Sequence, residues 1–162
     1  DWHRDWRDHM PNEVFEEEFS EEWKHQSFDI EYHNQINCPL YEDPSTWIVP
    51  GSHYRQRNLP GEVAAKKAYN RDKLRNQSPI SNEQQERDCL EYTSNMPGAV
   101  QLRLNAGDFA LYRSSAWHMG NYVPYRKRAT IHDFCGTPAY AEHIVDRVER
   151  KNAAVKRLAA KA

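Results

Sequence analysis

The chain has little of what staples small secreted or metal-bound domains. Its three cysteines, Cys38, Cys89 and Cys135, stand far apart in 162 residues, and no Cys-x-x-Cys occurs. An odd, scattered set argues against a disulfide framework and a thiolate zinc site, so a reducing, cytoplasmic setting is expected. Long apolar runs are missing too. No stretch approaches the roughly 20 residues of a membrane helix, and mean hydropathy is −1.02. Nor is there an excess of one charge: 22 Lys and Arg against 24 Asp and Glu leave a net −2. Generic nucleic-acid affinity needs a basic excess, so neither nucleic acid nor membrane is expected as a partner. No internal repeat is visible, which excludes solenoids and propellers.

What is present reads as a single domain over 1–162. Residues 1–6 read as a strand, and a short acidic helix is expected around 13–23. Residues 28–41 alternate: Phe28, Ile30, Tyr32 and Ile36 fall on one face, and Asp29, Glu31, His33, Gln35 and Asn37 on the other. A face that polar either meets water or lines a wet cavity. A short strand over 46–49 ends at Pro50-Gly51-Ser52. Residues 55–97 form a polar insertion with helices expected over 60–70 and 82–93, the second with Asn82 as N-cap and Gln85 in the capping-box position. Strands follow over 100–104, 109–112 and 127–134, with a hairpin turn at Asn105-Ala106-Gly107-Asp108. A helix over 138–160 closes the chain, with Ile144, Val148, Val155 and Leu158 as a thin apolar stripe. Short strands without βαβ alternation predict an antiparallel β-core with inserted and C-terminal helices.

The chemistry begins at His3-Arg4-Asp5. On a strand, residues two apart share a face, so His3 and Asp5 point together. A histidine from a distant strand, His118, would complete two imidazoles and a carboxylate. That donor set suits Fe(II) and leaves positions open for a bidentate oxo-acid and O₂. Arg128-Ala129-Thr130 puts a guanidinium and a hydroxyl on one strand face, and a guanidinium fork is the natural partner of a carboxylate. Arg126 has the same parity and is the alternative. Gln35 and Asn37 are candidates for a pocket wall, as are His33, His132, Trp47 and Trp117 in packing roles.

Five segments, in this order, resemble the phytanoyl-CoA dioxygenase-like family of Fe(II)/2-oxoglutarate-dependent oxygenases. They are Trp2-His3-Arg4-Asp5, Trp47-Ile48-Val49-Pro50-Gly51-Ser52-His53, Asn105-Ala106-Gly107-Asp108-Phe109, Trp117-His118-Met119-Gly120-Asn121 and Arg128-Ala129-Thr130. The resemblance implies a double-stranded β-helix, the jelly roll of cupin-like proteins, with a metal near one open end. It implies His3, Asp5 and His118 as iron ligands, and Arg128, helped by Thr130, as anchor for the distal carboxylate of 2-oxoglutarate. Gln35 is a further candidate contact to that co-substrate. His53 falls in a turn motif and is expected to be structural. The carboxylate at Asp5 implies hydroxylation of a small molecule rather than halogenation, with release of succinate and CO₂. The family's usual lead-in before the His-x-Asp strand sets the expectation that an N-terminal portion of the domain precedes residue 1. Residues 55–97 are the expected substrate lid, where Lys66, Lys67, Arg71, Lys73 and Arg75 would meet an anion. The competing expectations are an inactive jelly-roll binding domain and a cupin-type metalloenzyme that does not use 2-oxoglutarate.

Overall fold

The computed structural model describes residues 1–68, 81–123 and 125–161. Two helices, α1 (Asn12–Glu18) and α2 (Ser20–Gln26), come first. Strands β1 (Asn34–Pro39) and β2 (Thr46–Ile48), a 3₁₀ turn (Ser52–Tyr54), and helices α3 (Pro60–Lys67) and α4 (Asn82–Ser94) follow. The chain ends with β3 (Val100–Gln101), β4 (Ala110–Arg113), β5 (His118–Gly120), β6 (Thr130–Asp133) and α5 (Pro138–Ala159). The strands form two antiparallel sheets, ordered β4-β1-β6 and β3-β2-β5. Helix takes a larger share than the β-dominated reading of the sequence expects.

Register explains which side chains meet. In the second sheet Trp47 lies opposite Met119, and Ile48 opposite His118. Trp47 and Met119 therefore share one face, where they join Trp2, Val49, Ala65, Met96 and Trp117 in a core. Trp2 and Trp117 are fully enclosed, and an aromatic ring of this kind removes roughly 150–250 Å² from water. The other face, carrying Thr46 and His118, turns to the first sheet. There Asn37 Nδ2 donates to Thr46 Oγ1 at 3.2 Å and to the Tyr112 hydroxyl at 3.1 Å, while the Tyr112 and His118 rings lie 5.5 Å apart. The layer between the sheets is polar. On the far side of the first sheet, Leu111, Ile131 and the neighbouring Phe109 are exposed.

A second core joins Met10, Val14, Phe15, Phe19, Trp23 and Ala154, with Trp6 against it. Arg150 clips α5 to α2: its Nη1 bonds Glu22 Oε2 at 2.9 Å and its guanidinium lies 4.6 Å from the Phe19 ring.

Several boundaries differ from expectation for local reasons. Residues 28–33 are turns, not strand. The Asp29 carboxylate accepts from the Glu31 amide at 2.9 Å, and His33 sits at φ 56°, so extended backbone starts only at Asn34. Residues 1–6 contribute a single antiparallel bridge, His3 to His118. The strand expected over 100–104 stops at Gln101, and Leu104 bridges Asp43 instead. Helix α4 is capped one residue earlier than expected, by Ser81, whose Oγ accepts from Gln84 N at 3.2 Å. In α5, Ile144, Val148, Val155 and Leu158 are partly exposed, and the buried positions are Tyr140, Arg147 and Ala154. In the insertion, Ala65 and Met96 are core residues and Lys66 pairs with Asp8. Lys67 is exposed, and Arg71, Lys73 and Arg75 lie outside the described residues. No described helix is long and apolar enough to cross a membrane.

Candidate metal centre

His3 and His118 face each other because their backbones exchange hydrogen bonds, His3 N to His118 O at 3.2 Å and His118 N to His3 O at 3.0 Å. The rings lie 4.3 Å apart. Asp5, held by its amide to Ser114 O at 2.9 Å, brings its carboxylate to both. Oδ1 lies 3.5 Å from His3 Nε2, and Oδ2 lies 3.9 Å from His118 Nε2. One donor atom from each residue lies within 4.8 Å of the others, a spacing that could hold a metal ion.

The outer contacts suit that use. His118 Nδ1 is 2.9 Å from Ala116 O, and His3 Nδ1 is 2.9 Å from Asp1 O. A backbone carbonyl on Nδ1 fixes the proton there and turns the Nε2 lone pair inward, the usual arrangement behind metal-bound histidine. Burial, reinforced by the His3 ring, pushes His118 down to about 4, and burial lowers His3 as well. Both imidazoles are neutral at pH 7, the form that binds metal.

His118 is located by the turn after β2. Gly51 adopts φ 75°, a left-handed conformation that glycine takes without strain. The turn places Ser52, which is fully buried. Its Oγ donates to Val49 O at 2.6 Å and accepts from Trp117 N at 2.8 Å, while Val49 N donates to Trp117 O at 2.8 Å. Arg4, on the opposite side of the chain from His3 and Asp5, is 1 % exposed. It spans three partners: Ser115 O at 2.9 Å, Asn58 Oδ1 at 2.9 Å and Arg55 O at 2.7 Å. The two segments that carry the candidate ligands are thereby tied to one loop. His53 packs its ring 3.8 Å from Tyr54, and burial pushes it down to about 4.

The remaining candidates divide between two depressions. A cavity of about 400 Å³ is lined by Asp5, Gln35 and His132, among others. Gln35 Nε2 bonds His132 Nε2 at 2.8 Å, and His132 Nδ1 bonds Asn37 Oδ1. Among the described residues Gln35 Oε1 is buried with no hydrogen-bond partner. Arg126 and Arg128 line a separate cleft of about 410 Å³. Arg128 Nε donates to Asp43 Oδ2 at 2.8 Å and Ser45 Oγ at 3.1 Å, and its guanidinium lies 4.4 Å from the Tyr122 ring. Thr130 donates to the same Asp43 oxygen at 3.1 Å. Burial works against the Asp43 charge, but hydrogen bonds from Ser45, the Arg128 charge and Thr130 outweigh it and hold the carboxyl below its usual range. Arg126 pairs with Glu86 at 2.8 Å on the surface. Trp47 and Trp117 are core residues, and His33 packs against Trp6 and Arg147.

Sequence reasoning missed three residues. Asp43 holds Arg128 and hid inside a turn sequence. Tyr112, whose hydroxyl is kept protonated by burial and the Asp5 charge, stands between the sheets. Arg147 lines the cavity beside Asp5 from a helix that reads as surface. Comparison with protein-family models, curated proteins and solved structures finds no match.

Proposed function

We propose that the chain is a non-haem iron, 2-oxoglutarate-dependent dioxygenase that hydroxylates a small molecule, built on a jelly roll of which the two facing sheets are the walls. One observation carries this reading: His3, Asp5 and His118 converge from distant segments with both Nε2 atoms turned inward and both Nδ1 atoms on backbone carbonyls. Two imidazoles and one carboxylate are the donors of the facial triad, which leaves room for an oxo-acid and O₂. Loaded with Fe(II), 2-oxoglutarate and O₂, such a centre supplies oxidation of a C–H bond, with release of succinate and CO₂.

The chain's own residues have defined tasks in this reading. His3, Asp5 and His118 hold the metal. Arg128, held by Asp43 through Nε, offers its Nη fork to the distal carboxylate of 2-oxoglutarate, with Thr130 beside it. Gln35 lines the cavity that Asp5 opens into. The carboxylate at Asp5 fills the ligand position that a halide would need, which favours hydroxylation over halogenation.

The test is an anaerobic titration with Fe(II) and 2-oxoglutarate. The reading expects a weak visible charge-transfer band that needs both components and is lost in His118→Ala. A second reading, a cupin-type metalloenzyme that does not use 2-oxoglutarate, is favoured by the engagement of Arg128 with Asp43 in a cleft apart from Asp5. Fe(II) binding without any band on adding 2-oxoglutarate selects that second reading, and absence of Fe(II) binding contradicts both.

A further inference from the structure

The cavity beside Asp5 contains a cation that no carboxylate contacts among the described residues. Arg147, on α5, is 2 % exposed, and the Glu22 charge acts on it only from a distance. Its hydrogen bonds run through Nη1, to His33 Nε2 at 2.7 Å and His143 Nε2 at 3.0 Å. Among the described residues its Nε is buried without a hydrogen-bond partner. The nearby acid, Glu22, is bonded to Arg150 at 2.9 Å. Burial pushes the Arg147 guanidinium down to about 9, still charged at neutral pH. A buried cation is costly unless paired and hydrogen-bonded, so its persistence here calls for a ligand.

Two further features point to the same place. The positive-φ non-glycine residues of the described chain are Trp6, at 67°, and His33, at 56°. Such conformations are strained for residues that carry a side chain, and such strain gathers at functional sites. Both residues contact Arg147: its guanidinium stacks 3.3 Å from the Trp6 ring, and its Nη1 bonds His33. Trp6 directly follows Asp5, so the strained turn sets the guanidinium next to the candidate metal ligand. The cavity also has an apolar side, formed by Phe134, Tyr140, Ile144 and Val148. At about 400 Å³ it has the size of a small-molecule site.

We propose that Arg147 anchors the carboxylate of the primary substrate, and that this substrate is a small carboxylic acid with an apolar body. The carboxylate meets the unused Nε edge of the guanidinium, the bidentate geometry that arginine favours. The hydrocarbon lies along Phe134, Ile144 and Val148, and the C–H bonds nearest the carboxylate are the ones that face Asp5 and the metal, because the guanidinium stands beside Asp5. This assignment of the substrate class rests on the dioxygenase reading.

The experiment uses the metal-free protein with ¹⁵N-labelled arginine, following side-chain Nε–H resonances during titration with hexanoate, hexanamide and 2-oxoglutarate. Arg147→Lys identifies the Arg147 signal by its disappearance. Hexanoate is expected to shift that signal saturably, and hexanamide to leave it in place. By calorimetry, hexanoate affinity falls about tenfold or more in Arg147→Met and stays unchanged in Arg87→Met, at an exposed arginine of α4. If Arg147→Met does not fold, the hexanoate and hexanamide arms on the unaltered protein decide. Equal hexanoate binding in folded Arg147→Met, or no shift at Arg147, overturns the proposal. A shift of Arg147 by 2-oxoglutarate in place of hexanoate overturns it as well, because the anchor then serves the co-substrate. No metal takes part, so failure here is distinct from failure of the Fe(II) titration.

Discussion

His118, His33 and His53 all lie far below the ordinary imidazole range through burial, yet they face different neighbours. His118 looks across at Asp5 and His3 with its outer nitrogen occupied by a carbonyl. His33 is hemmed in by cations and rings: Arg147 and His143 from α5, Arg113 from β4, and Trp6 and Trp23 from the second core. The neutral ring is what the fold requires at position 33. The unfolded chain takes up a proton near pH 6.5 while the folded chain resists it. Stability from His33 is therefore complete above pH 6.5 and is lost as the pH falls below that value. Urea unfolding at pH 7.5 and 5.5 is expected to show lower stability at the acid value. His33→Asn, which tolerates the positive φ, is expected to cost roughly 1–3 kcal/mol at pH 7.5 and to flatten this pH dependence. An unchanged slope in His33→Asn would remove His33 from the account.

The element that places His118 in the candidate metal site is the turn between β2 and the 3₁₀ helix. Ser52 accepts from Trp117 N and donates to Val49 O, so one hydroxyl sets the strand that carries His118. Ser52→Ala leaves a buried amide unpaired, and a loss of roughly 1–3 kcal/mol is expected in thermal or urea unfolding. Metal affinity is expected to fall roughly tenfold, as for other outer supports of metal ligands; unchanged affinity would show that the turn does not position His118. This turn was legible in the sequence because Pro50-Gly51-Ser52 has local chemistry that survives in any context. The turn at Asn105–Asp108 was legible for the same reason, since Asp108 Oδ2 accepts from Asn105 N at 2.8 Å and Gly107 takes φ 89°, but it closes no hairpin: β3 before it and β4 after it belong to different sheets. Helix α5 was legible at its start, where Thr137 caps Tyr140 N at 3.1 Å. Its packing face was not. Tyr140, Arg147 and Ala154 are the buried line, and an arginine surrounded by Ala, Lys and Glu reads as solvated unless its aromatic and histidine neighbours are known. Residues 28–33 alternate like a strand, but turn hydrogen bonds from Tyr32 N to Asp29 O and from Glu31 N to Asp29 Oδ1 prevail over that pattern.

At the scale of the whole molecule, two small sheets enclose a polar layer, and α5 closes one side with Arg147. The two candidate binding depressions share no lining residue. Asp5, Gln35 and Arg147 share one, and Arg126 and Arg128 share the other. Tyr112 feels both Asp5 and Arg128, which places it at the junction. The candidate ligands His3, Asp5 and His118 stand out in the sequence through the His-x-Asp spacing and the order of the segments around them, and the structure brings the three side chains together. The partnership of Arg128 with Asp43 and the isolation of Arg147 depend on long-range packing that no local pattern encodes. If His3, Asp5 and His118 hold one divalent metal, Co(II) titration followed by visible absorption will give one Co(II) per chain, with d–d bands shifted by nitrogen ligands, and both His118→Ala and Asp5→Ala will lose that binding; equal Co(II) binding in either folded variant rules the site out.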